Sequence, residues 1–82
     1  MTINENWAVS SERIAEFFDE QTDVLFCGGV YKYSDCTITL TPVTGNTGTI
    51  PVLRTQVCFE GPEEQVTAIY KRFFLRFLSA GG

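Results

Sequence analysis

At 82 residues the chain has room for one domain and excludes a second, and a composition 44% hydrophobic and 13% aromatic, with seven phenylalanines, supplies a packed core and argues against intrinsic disorder. A formal net charge of -4 argues against phosphate-backbone binding, which draws on a surplus of Lys and Arg. With no histidine, the chain lacks the side chain most used for proton transfer near neutral pH and the commonest metal ligand.

In chain order, residues 1–8 read as an N-terminal arm. Ser10 is placed to cap a helix from Ser11 to about Gln21, with Val9 and Ile14 as a hydrophobic staple across the cap. Ile14, Phe17, Phe18 and Gln21 follow three-four-seven spacing and form a narrow buried stripe. The opposite face carries four carboxylates, Glu12, Glu16, Asp19 and Glu20. Like charges at these spacings cost a few tenths of a kcal/mol per pair, and Asp19 and Glu20 meet the negative end of the helix dipole. Such a face serves either water or a basic partner.

From Val24 onward β-branched and aromatic residues between turn signals predict a sheet. Val24–Cys27 and Val30–Tyr33 flank Gly28-Gly29, which reads as a two-residue hairpin turn or a glycine bulge in one longer strand. Cys36, Ile38 and Leu40 alternate with Thr37, Thr39 and Thr41, giving one apolar face and one threonine ladder. Pro42 to Thr49 contains three turn-prone residues, Gly45, Asn46 and Gly48, and predicts an exposed loop. In the returning strand Leu53, Thr55, Val57 and Phe59 face the core and Arg54, Gln56 and Cys58 the open side, with Pro51 at its edge or start.

Gly61-Pro62 opens a last helix whose first turn carries Glu63 and Glu64, suited to the dipole. Val66, Ile69, Tyr70, Phe73, Phe74, Phe77 and Leu78 form its buried stripe, Leu75 lies opposite, and residues 79–82 read as a flexible tail. The expected fold is α+β, a two-layer sandwich over residues 1–82: a helix, a three- or four-stranded antiparallel sheet and a C-terminal helix, with both helices on the apolar sheet face. The other face presents Thr37, Thr39, Thr41, Arg54 and Gln56 to water or to another molecule.

Charge is uneven along the chain. Six acids stand against one base, Arg13, up to Asp23, while Lys71, Arg72 and Arg76 cluster near the end. This predicts either a partner-facing pole or two helices that neutralise one another. Cys27, Cys36 and Cys58 fit neither a fully paired disulfide scheme nor a zinc spacing, and the simplest account is reduced thiols in the cytoplasm. The start of the chain has neither the basic end nor the apolar run of a signal peptide, and no stretch is long enough to span a bilayer.

No catalytic residues are predicted. The cysteines lack a neighbouring base, and carboxylates on a convex helix face lack the enclosure that tunes an acid for catalysis. Thr44 to Thr49 has the glycines of a phosphate loop without its lysine or following helix. Tyr31, Lys32 and Tyr33 alternate as base-stacking residues do, without the accompanying glycine-aromatic motif.

The order helix, three strands, helix resembles that of the double-stranded RNA-binding domain in topology alone. Where that family places lysines to grip phosphates, this chain has Glu63 and Glu64, so the resemblance implies no RNA binding here. Gly81-Gly82 is similar to the diglycine that ends ubiquitin-like proteins and sulfur carriers. That likeness covers two residues, and those families have a different strand-helix order.

The expectation is a small acidic, non-enzymatic protein, without metal or cofactor, that binds a larger macromolecule and modulates or inhibits it. Its partner-binding residues are Glu12, Glu16, Asp19 and Glu20 on the helix and Thr37, Thr39, Arg54 and Gln56 on the sheet. One form of this is a phage or mobile-element inhibitor whose carboxylates occupy the phosphate-binding groove of a nucleic-acid-handling protein. The alternatives are a diglycine carrier and a homo-oligomeric structural domain, a homodimer being the simplest.

Overall fold

A computed structural model describes the backbone of residues 1–47 and 50–80 and the side chains of residues 1–43 and 54–78. The fold is α+β, and the described residues form five strands and two helices in the order β1 (Thr2–Trp7), α1 (Ser11–Glu20), β2 (Leu25–Cys27), β3 (Val30–Tyr33), β4 (Cys36–Thr47), β5 (Ile50–Glu60) and α2 (Glu63–Ala80). The sheet runs β1-β5-β4-β3-β2, and every neighbouring pair is antiparallel. The chain therefore crosses from one sheet edge to the other through α1.

The fifth strand comes from residues 1–8, which the sequence reading assigned to an arm. Ile3, Glu5 and Trp7 alternate with Asn4 and Asn6, and β1 pairs with β5 from Thr2↔Glu60 to Trp7↔Thr55. What holds so polar a strand is its end: Trp7 meets Phe73 edge-to-face with ring centroids 4.9 Å apart. The expected loop at Pro42–Thr49 is also corrected. β4 continues through Pro42 to Thr47 opposite β5, and only Gly48 and Thr49 of that stretch lie outside the described residues. Past Ile38, β4 has lost β3 as a neighbour, and a strand paired on one side tolerates proline.

Gly28 and Gly29, with φ of 61° and 83°, form the tight turn between β2 and β3. Positive φ at both central residues suits a primed hairpin turn, so the hairpin reading holds over the bulge. The Ser10 side chain accepts the Arg13 N–H at 3.3 Å and caps α1 as expected.

Both helices lie on one sheet face. Ile14, Phe17 and Phe18 from α1 and Val66, Ile69, Phe73 and Phe77 from α2 cover Tyr31, Cys36, Ile38, Val57 and Phe59 from the strands. Phe73 is the hub: it stacks on Phe18 at 5.9 Å and contacts the rings of Trp7, Phe17, Phe59 and Phe77. Leu78, assigned to this core by its spacing, is 55% exposed, while its neighbour Phe77 is the residue of that last turn that packs into the core, against Phe17 and Phe73. Leu75 is exposed, as its position opposite the stripe predicts. Ser79 and Ala80, expected in a tail, belong to α2, while Gly81 and Gly82 and the side chain of Leu53 lie outside the described residues.

Thr55 is the one buried polar residue among those described. Its hydroxyl donates to the Val9 carbonyl at 2.7 Å and meets the Ser11 hydroxyl at 2.9 Å. A threonine has one hydroxyl proton, so Ser11 is the donor in the second bond. This pair locks the start of α1 to β5 beneath it.

Candidate functional site

Burial of Ile14, Phe17 and Phe18 turns the other side of α1 outward, and Glu12, Glu16, Asp19 and Glu20 are all exposed there. Asp19 differs from the rest: its Oδ1 accepts the Tyr31 hydroxyl at 3.1 Å, so it also ties α1 to β3. Burial, followed by this bond to the carboxylate, raises the Tyr31 phenol above its ordinary pKa.

The C-terminal cations do not neutralise this face. The one ion pair among the described residues joins Arg72 to Asp23 at 3.0 Å, beyond the end of α1. Arg72 also lies over the Tyr33 ring, 5.2 Å from its centroid. The hydrogen bond from Arg72 lowers the Asp23 pKa, and the same bond raises that of Arg72. Glu12, Glu16 and Glu20 have no cationic group within 4.0 Å among the described residues.

The second predicted group occupies the helix-free sheet face. Thr37 stands opposite Glu60, Thr39 opposite Cys58 and Thr41 opposite Gln56, with Arg54 beyond them. β1 extends this surface through Asn4 and Asn6, and the Gln56 amide donates to Asn4 Oδ1 at 2.8 Å. Thr37, Thr39, Arg54 and Gln56 thus belong to one polar face, while the α1 carboxylates belong to the opposite layer. The two groups form two surfaces.

A third feature was missed from the sequence. Glu5, Asn6 and Trp7 of β1 and Tyr70 and Phe74 of α2 line an open cleft of about 460 Å³ at the sheet edge. Glu5 Oε1 accepts the Tyr70 hydroxyl at 2.7 Å and the Trp7 indole N–H at 3.3 Å. Burial and the adjacent carboxylate together push the Tyr70 phenol up to about 12. Trp7 and Phe74 are nearly perpendicular, 84° apart with centroids separated by 5.9 Å, and Tyr70 lies 5.9 Å from Phe74 on a 38° tilt. The available signal was the Ile3-Glu5-Trp7 alternation, obscured by the two asparagines within it.

Cys27, Cys36 and Cys58 are free thiols, and burial raises the Cys36 pKa. Among the described residues no three potential metal ligands converge, and no helix is long and apolar enough to cross a membrane. Compared with protein-family models, curated proteins and solved structures, the chain matches none.

Proposed function

We propose that this is a small non-enzymatic interaction protein that sets the outer face of α1 against a basic surface of a larger partner and so modulates or inhibits it. The observation that carries this reading is the set Glu12, Glu16 and Glu20, exposed in successive turns and in no ion pair among the described residues. Their mutual repulsion works against the helix, and a partner's Lys and Arg side chains would relieve it on binding. A phosphate-binding groove offers such a surface, which makes a nucleic-acid-handling protein the favoured partner class.

The experiment is affinity capture from host lysate with the wild-type protein and with Glu12→Lys/Glu16→Lys/Glu20→Lys. Asp19 is left unchanged because it also holds Tyr31. A partner retained by the wild type and lost by the variant supports the reading. Equal capture by both contradicts it.

Self-association is the second reading, favoured by β2. This three-residue edge strand exposes Leu25 at 69% and Phe26 at 63%, and a free strand edge invites pairing with a second copy. A mass that rises with concentration, and is returned to that of the monomer by Phe26→Lys, would support it.

A further inference from the structure

From the cleft between β1 and α2 we infer a binding site for a methylated ammonium group, held against the rings of Trp7, Tyr70 and Phe74 beside the Glu5 carboxylate. This surface is distinct from the acidic face of α1, and the inference does not depend on the function proposed there.

Three aromatic side chains line one cleft together with an acid. No basic side chain is among the lining residues, so an incoming cation meets a carboxylate and three aromatic rings. At about 460 Å³ and open to solvent on one side, the cleft has room for a methylated ammonium head group. The walls come from regular elements: Glu5 and Trp7 project from the same side of β1, and Tyr70 and Phe74 stand one turn apart on α2. Two hydrogen bonds to Glu5 Oε1, from Tyr70 and Trp7, fix the carboxylate between the rings.

The same two bonds select the kind of cation. An unmodified ammonium carries three N–H donors and a guanidinium five, and each lost water must be replaced by an acceptor. Here Oε1 already accepts twice, which leaves Glu5 Oε2 and the Tyr70 oxygen as the acceptor atoms of the acid and the rings, two atoms against three or five donors. A fully methylated ammonium has no N–H donors. It needs apolar contact and a negative field, which the cleft supplies. The group could belong to a free choline-type molecule or to a trimethyllysine side chain on a protein.

Trp7 is the sole tryptophan of the chain, so its fluorescence reports on the site directly. The full-length protein is titrated at constant ionic strength with tetramethylammonium, choline, a trimethyllysine peptide, the same peptide with unmodified lysine, and 3,3-dimethylbutanol, choline's neutral isostere. The expected result is a saturable change with at least one methylated ammonium and affinity about tenfold weaker for its uncharged or unmethylated counterpart. The order of choline and the trimethyllysine peptide identifies the source. Glu5→Gln and Phe74→Leu, each first confirmed as folded by circular dichroism, should weaken binding about tenfold, the first by removing charge and the second by removing a π face at similar volume. Absence of saturation with every methylated ammonium, equal binding of the neutral isostere, or full affinity in both folded variants would overturn the inference.

Discussion

The phenol of Tyr70 donates to the carboxylate of Glu5 at 2.7 Å across 65 positions of sequence, joining the first strand to the last helix. Burial first, and then this bond, favour the protonated phenol, which leads to a pH prediction. With the folded-state pKa raised to about 12 from 10.0, the unfolded chain loses this proton first as pH rises. The contribution to stability is full below pH 10 and declines as pH climbs toward 12. Titration of phenolate absorbance should show a late-ionising tyrosine that Tyr70→Phe removes. An unchanged titration curve in that variant would place the late proton elsewhere.

Thr55→Val should cost about 1–3 kcal/mol although it is nearly isosteric and apolar. The substitution strips the Val9 carbonyl and the Ser11 hydroxyl of their partner at the half-buried start of α1. Chemical denaturation measures the loss, and Thr55→Ser should retain most of the stability because it keeps the hydroxyl.

Phe73→Ala should be among the most damaging single changes, at about 3–5 kcal/mol, since five other rings close around this one. Thermal melting compared with Leu75→Ala on the exposed side of the same helix is the check. The second variant should melt close to the wild type.

Gly61→Ala should destabilise by about 1–3 kcal/mol through a backbone collision. A Cβ there would lie 2.8 Å from Cys36 Cα and 2.9 Å from the Asp35 carbonyl oxygen, and φ of 154° adds strain for any side chain. Neither contact can rotate away. A melting temperature equal to that of the wild type would show that β4 and β5 separate more readily at this point than their packing implies.

How much of this was legible in the sequence follows from how local each signal is. The cap at Ser10, the Phe17-Phe18 stripe and the threonine ladder depend on neighbours within a few residues, and each was readable. β1 depends on Phe73, 66 positions after Trp7, and nothing in Thr2–Trp7 alone reveals that anchor. The antiparallel return of β4 into β5 was readable but its length was not, because Pro42, Gly45 and Asn46 carry turn chemistry, whereas pairing to one neighbour only lets a strand accommodate them. The α1 carboxylates were found by spacing and are exposed as expected. Their failure to pair with the C-terminal cations was not readable, because it turns on Arg72 reaching Asp23 instead. The Glu5 cleft brings together residues from both ends of the chain, so neither end disclosed it.

The function proposed above has the exposed carboxylates of α1 bind a basic partner. Its most direct test is the affinity of the purified partner across a salt series, for the wild type and for Glu12→Gln/Glu16→Gln/Glu20→Gln. Binding should weaken steeply as salt rises for the wild type, and the neutralised variant should bind weakly with a shallow salt dependence. Equal affinity and equal salt dependence in the two proteins would contradict the account.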